Sequence, residues 1–205
     1  MSVLGNDAEI KQTYATLIQL ERPPRLVLDI GANRGTHSII FLIHGIAAVL
    51  FEPNPVCHPF FQLMCEMNGV QFRIEPLALG SSEGVVDLWY PEGDEWNGTT
   101  DASVKAQMGG PLAKTAVTQT TVDCYVRAHR LSPDLLKIDT EGTELQVLQG
   151  AASTLTTCRP VILFESWPAN RGALFSLLGS AGLCRLSAAT ARKHAATSFE
   201  CRAVS

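Results

Sequence analysis

No C-x-x-C pair occurs among the six cysteines, which stand at positions 57, 65, 124, 158, 184 and 201. That absence removes the common zinc and dithiol motifs, and such scattered thiols read as reduced and mostly buried. The amino terminus, MSVLGNDAEI, lacks the basic n-region of a signal peptide and carries Asp7 and Glu9 early. No apolar run is long enough to span a bilayer, because the longest, around Ile39 to Phe51, is broken by His44 and Gly45. A basic stripe is missing too, and a net charge of −4 leaves no electrostatic footprint for nucleic acid. Internal repeats and low-complexity tracts are absent. The Asn97-Gly98-Thr99 sequon means little in a chain without a secretion signal. These absences describe a cytoplasmic chain with no membrane span and no nucleic-acid partner. They leave its oligomeric state open.

Over its 205 residues the chain is 46% hydrophobic and 18% charged, which suits one domain, 1–205, with a sizeable core. The stretch LVLDIGANRGTHSIIFLIHGIAAVLFE, Leu26 to Glu52, organises the rest. Leu26 to Ile30 reads as a strand buried on both faces. Gly31 to Gly35 is a turn, Thr36 or Ser38 begins a helix, and His44-Gly45 ends it. Ile46 to Phe51 is a second strand with Glu52 at its carboxyl end. This is a βαβ unit, with its glycine loop where ligands bind in parallel sheets. An acid about 20 residues after the first glycine can accept the hydroxyls of a ribose.

The dinucleotide fingerprint G-x-G-x-x-G is incomplete. Asn33 and Thr36 occupy its second and third glycine positions, so a pyrophosphate would meet side chains. S-adenosylmethionine has no phosphate. Its zwitterionic tail suits a loop with Asp29, backbone N–H groups and Asn33, with Asp29 facing the ammonium or shaping the loop.

Residues 7 to 20 fit an amphipathic helix capped by Asn6 or Asp7 and lying in an N-terminal segment 1–24. Phe60 to Asn68 is a further helix. Phe72 to Leu79 reads as a third strand, which places residues 77 to 81 beside an adenine. Strands Val85 to Tyr90 and Val117 to Val122 flank a long polar loop, 91–116, that is either a substrate-shaping lid or a solvated hairpin insertion. Asp123 caps a short helix. Leu135 to Leu148 repeats the pattern of strand, acid, turn and helix, with Asp139 ending the fourth strand, Glu141 in the turn and Glu144 in the first helical turn. Clustered acids at a buried strand end are costly unless used. Ala151 to Leu155 completes that helix. Pro160 to Phe164 is the fifth strand, followed by Glu165 and Trp167. Ala173 to Leu178 is a helix. Leu183 to Leu186 and Ser198 to Val204 read as an antiparallel pair closing the sheet.

Asp29-Ile-Gly-Ala-Asn-x-Gly-x-x-Ser38, Phe51-Glu-Pro-Asn54, Ala78-Leu-Gly80, Thr121-Val-Asp123 and Leu136-Lys-Ile-Asp-x-Glu-Gly-x-Glu144 occur in that order. Val147-Leu-x-Gly-Ala151 and Pro160-x-Ile-x-x-Glu165 follow. Over about residues 25 to 166 this pattern resembles the FkbM family of S-adenosylmethionine-dependent methyltransferases. The resemblance implies an α/β, Rossmann-like class I methyltransferase fold. Its mostly parallel sheet would have seven strands, the last antiparallel, with helices on both faces and an inserted β-hairpin or loop. It implies O-methylation of a hydroxyl on a sugar, polyketide or other small metabolite. It suggests Asp29, Gly31, Asn33 and Gly35 around the methionine part and Glu52 on the ribose. Ser38, Pro53, Ala78 and Leu79 complete the cofactor-binding set. Asp139 and Glu141 then lie at the methyl-transfer end, taking or orienting the hydroxyl proton. Asn97 to Ser103 is similar to the family's Asn/Gly-rich segment, while His37 replaces an aromatic residue. His37, His44 and His58 read as structural.

Asp139, Glu141 and Glu165 could together offer oxygens to Mg²⁺, but the favoured reading assigns no metal ligand. One rival is a NAD-dependent dehydrogenase or epimerase, disfavoured by the missing glycines and the lack of a Tyr-x-x-x-Lys pair. The other is a non-catalytic module of the same fold, which leaves the acids at 52, 139 and 141 unexplained.

Overall fold

The computed structural model describes residues 8–94, 96–166, 170–180, 183–189 and 197–203. Five parallel strands form its centre, in the order β3 (Arg73–Glu75), β2 (Ala47–Phe51), β1 (Leu26–Ile30), β7 (Leu135–Ile138) and β8 (Val161–Ser166). On β8 lies β10 (Thr197–Ala203), antiparallel, and β9 (Leu183–Ala189) pairs antiparallel with β10. A separate three-stranded sheet joins β4 (Ala78–Leu79), β6 (Leu112–Thr120) and β5 (Gly84–Pro91).

The apolar runs explain the layering. Alternation along β1 sends Leu28 and Ile30 to one face and Val27 to the other, and each face is covered by helices. On one side pack α5 (Val122–His129), α6 (Glu144–Gln149), α7 (Ala152–Thr157) and α8 (Arg171–Ser180). On the other pack α1 (Ala8–Ile18), α2 (Ser38–Leu42) and α3 (His58–Asn68), through Tyr14, Leu17, Phe41 and Phe61. Each such fully buried side chain contributes about 1.5–3 kcal/mol.

Several boundaries differ from the sequence reading. The strand expected over Phe72 to Leu79 splits at Pro76 and Leu77, because Arg73–Glu75 pairs with β2 whereas Ala78–Leu79 pairs with β6 in the small sheet. The expected loop 91–116 is shorter. The ribbon runs from Gly84 opposite Gln119 to Pro91 opposite Leu112, and the connecting segment carries α4 (Ala102–Lys105), capped by Asp101. Asp123 does not cap α5. Thr121 does so, accepting from the Cys124 N–H, while Asp123 accepts from the backbone of Ser153 and Thr154 at 2.8 Å and so caps α7. The single helix expected through Leu155 is broken at Gly150, where the backbone touches Gly80 and a side chain would collide. Glu165 lies inside β8, not beyond it. The proposed caps Asn6 and Asp7, and Trp167, fall outside the described residues.

Candidate active site

The chain crosses from one side of the sheet to the other between β1 and β7, and a cleft opens at the carboxyl ends of the strands there. The cavity measures about 480 Å³, within the ordinary range for a small-molecule site. Its floor is the Gly31 turn. Gly31 has φ of +74°, and a Cβ there would run into the Asp139 carbonyl, so only glycine lets β1 and β7 end side by side. One wall comes from β2 and its sequel, Phe51 to Asn54; the opposite wall comes from Asp139 to Glu141 and Thr143. Leu77, Ala78 and Leu79 close one end, and Trp96, Gly98 and Thr100 line the cavity from the segment joining β5 to β6.

Glu52 is buried and rigidly held. One carboxylate oxygen accepts from the Asn33 N–H and the other from the Asn54 N–H, both at 2.8 Å. Burial raises its pKa, against these hydrogen bonds. Each oxygen still has a lone pair to offer a ligand. Asn33 adopts φ of +52° and donates from its side-chain amide to the Trp96 carbonyl at 3.0 Å, tying the glycine turn to the overlying segment.

Not every motif residue faces the cleft. Asp29, Ser38 and Gly35 are not among its lining residues. Asp29 is buried, accepts from the Ser38 hydroxyl at 2.7 Å, and lies 3.1 Å from the Lys137 ammonium. Its carboxylate faces Lys137 on the neighbouring strand and the Ser38 hydroxyl. Gly35 has φ of +72°, and a Cβ there would strike the Phe61 ring, so its smallness lets α3 pack against the turn.

Lys137, which the sequence reading passed over, points along the sheet beneath the turn. Its Nζ reaches the Gly31 carbonyl at 3.0 Å, Asp29 at 3.1 Å and Asp139 at 3.5 Å. Those contacts raise its pKa despite its burial, which keeps the ammonium form favoured. The acids at this end are crowded. Asp139, Glu141 and Glu165 each bring a carboxylate oxygen within 4.8 Å of the others. Burial first, and then the Asp139, Glu141 and Glu144 charges, push Glu165 up to about 8. The crowding therefore favours the protonated form of Glu165. Glu144 accepts from the Thr140 and Gly142 N–H groups at 3.0 and 3.1 Å and fixes the turn that precedes its own helix.

Glu141 itself sits at φ of +53°, an unusual conformation for a glutamate. Buried Thr99 holds it there: its hydroxyl donates to the Glu141 carbonyl at 2.7 Å and accepts from the Asp101 N–H at 2.9 Å. Of the histidines, His37 lines the cavity and pairs with the buried Tyr14 hydroxyl at 2.9 Å. His58 bonds the Glu52 carbonyl at 2.8 Å, and His44 the Ile40 carbonyl at 2.8 Å.

Residues 29–178 match the Methyltransferase FkbM domain. This chain belongs to the FkbM methyltransferase family. It is 29% identical over 137 residues to the hexuronic acid methyltransferase AglP of Haloferax volcanii, an overlap of 66% of this chain and 53% of AglP. Its fold is similar to the FkbM methyltransferase structure from Methylobacillus flagellatus, with a TM-score of 0.62 at 14% identity, over 86% of this chain and 43% of the other. It is also similar to a tRNA (uracil-54, C5)-methyltransferase of Pyrococcus abyssi in complex with S-adenosyl-L-homocysteine, with a TM-score of 0.50 at 13% identity, over 95% of this chain and 36% of the other. The chain thus spans about half the length of these two relatives, AglP and the Methylobacillus flagellatus protein, or less. Among the described residues, no helix is long and apolar enough to cross a membrane.

Proposed function

We propose that this FkbM-family chain is an S-adenosylmethionine-dependent O-methyltransferase acting on a hydroxyl of a sugar or similar small metabolite. One observation carries the reading. A nucleoside-type acid, Glu52, and the acidic pair Asp139 and Glu141 line one cavity from opposite sides of the switch point. The hexuronic acid methyltransferase among its relatives supports a sugar acceptor, and the S-adenosylhomocysteine complex among its structural neighbours supports the cofactor.

The cleft fits that cofactor. It offers a fixed carboxylate for ribose hydroxyls in Glu52, apolar Leu77 to Leu79 for a base, and a glycine turn whose side chains leave no pyrophosphate cradle. Gly31, Asn33, Glu52, Pro53, Ala78 and Leu79 would hold it directly. Asp29, Gly35 and Ser38 would shape the turn from behind. When bound, S-adenosylmethionine supplies an electrophilic methyl group on a sulfonium.

The chain's own contribution is positioning and proton transfer. Holding two reactants in line and in near contact is worth up to about 7–11 kcal/mol. An alcohol is a weak nucleophile, so its proton has to leave as the bond to carbon forms. Asp139 or Glu141 accepts that proton at a carboxylate oxygen, and Lys137 balances the negative charge beside Asp139 from 3.5 Å. The segment carrying Trp96 and Thr100 excludes water and shapes the acceptor end.

Calorimetric titration tests this reading. S-adenosylhomocysteine should bind the wild type and fail to bind Glu52→Ala. Asp139→Ala and Glu141→Ala should keep that binding and lose methyl transfer to hydroxylated sugars. A folded wild type that binds neither S-adenosylmethionine nor S-adenosylhomocysteine overturns the proposal.

A further inference from the structure

Two fixed cations line the cavity among the described residues, and they are in opposite states. Lys137 has three N–H donors and three oxygens around it, from Gly31, Asp29 and Asp139. Arg34 has five donors, and among the described residues none of them meets an acceptor. Its Nε is buried with no hydrogen-bond partner. Its guanidinium is held by rings instead, 3.7 Å from the Trp96 ring centroid and 4.8 Å from that of Phe60. The two rings stand edge to face, at 90°.

We propose that Arg34 is the carboxylate receptor of this cleft. A guanidinium held against ring faces spends no N–H donor on an acceptor there, and a planar carboxylate has the geometry to take two of them. The two rings also hold the group in place, so less side-chain freedom is lost on binding. Asp29, the residue whose motif position suggested contact with a zwitterionic tail, is turned away and paired with Lys137. Glu52 is bound to two backbone N–H groups. Of the two cations that line the cavity among the described residues, Arg34 is the one left for an anionic ligand group. Two ligands of the proposed reaction can bring one: the methionine tail of the cofactor, and an acceptor sugar carrying a uronate. The inference rests on the methyltransferase reading and adds the charge of what enters.

The experiment compares wild type, Arg34→Gln and Arg34→Lys by calorimetry on the full chain. The probes are S-adenosylhomocysteine, 5′-methylthioadenosine (the same nucleoside thioether without the amino-acid tail), and D-glucuronate or D-glucose added to protein saturated with S-adenosylhomocysteine. If the receptor serves the cofactor tail, Arg34→Gln weakens S-adenosylhomocysteine by about 10-fold or more and leaves 5′-methylthioadenosine unchanged. If it serves the acceptor, S-adenosylhomocysteine is unchanged, and the wild-type preference for glucuronate over glucose disappears. Arg34→Lys keeps the charge without the fork and falls between the two. Unchanged affinities in Arg34→Gln overturn the inference, as does an equal loss for both nucleosides, which would mark Arg34 as packing for Trp96. A wild type that binds neither nucleoside overturns the methyltransferase reading and this inference with it. A wild type that binds both, with Arg34→Gln identical to it toward the nucleosides and the two sugars alike, overturns this inference alone.

Discussion

Glu165 sits among three other carboxyl groups, and their charges add to the burial that keeps its proton on. An unfolded glutamate titrates near 4.3, so the folded chain holds this proton over a range where the unfolded chain has released it. The group therefore favours the folded state fully below the unfolded pKa, and that contribution is lost as pH rises toward about 8. Thermal unfolding of wild type should weaken between pH 5 and pH 9 more steeply than that of Glu165→Gln, whose side chain does not titrate. Parallel pH curves for the two proteins would refute the assignment. At this scale some residues were legible in sequence and some were not. Glu52 ends an apolar run at the expected distance from Gly31, and it lines the cleft. Asp29 belongs to the same motif, but spacing alone cannot say which way a carboxylate turns. Its partner Lys137 lies more than a hundred positions away, on a strand whose neighbour only the sheet order reveals. Arg34 and Trp96 meet for the same non-local reason.

At the scale of elements, the segment between β5 and β6 is fastened to the turn that carries Glu141. Thr99 makes the link, and its backbone also pairs with Trp89 at 2.8 and 2.9 Å. Gly142, at φ of +111°, leaves room for Val104 and Asp101, which a Cβ would crowd. Thr99→Val keeps the shape and removes the hydroxyl, leaving a carbonyl short of a partner at a cost of about 1–3 kcal/mol. Hydrogen exchange should then rise together in residues 98–105 and 140–143, by roughly 10-fold or more. Thr99→Ser should restore protection, and affinity for S-adenosylhomocysteine should not change. Exchange confined to 98–105 would show that the segment and the turn are not coupled. A long polar stretch was visible in sequence as a candidate lid or insertion. Its contacts were not, because Thr99 reads as one threonine in a run of small polar residues. The splitting of the strand at 76–77 was equally hidden, since two short strands in different sheets carry the same residue types as one long one.

For the molecule as a whole, the Asp29–Lys137 pair joins β1 to β7 inside the sheet, with each side chain almost fully buried. Lys137→Met leaves Asp29 buried without its cation and should cost about 3–5 kcal/mol, measured as a fall in the urea midpoint. Combining it with Asp29→Asn should recover part of that loss, because the two charges then leave together. A single-mutant cost below about 1 kcal/mol would show that the pair does not hold the sheet centre together.

The same adjacency governs how the chain is made. Val27 lies beside Leu135 in the finished sheet. A ribosome releases β1, α2 and β2 long before β7 exists. During that interval the inner edge of β1 has no partner, and an unpaired apolar strand edge invites association with other chains. The floor of the cleft, where the Gly31 turn meets the Asp139 backbone, forms only after β7 emerges. Binding competence is therefore a late event in the birth of this protein.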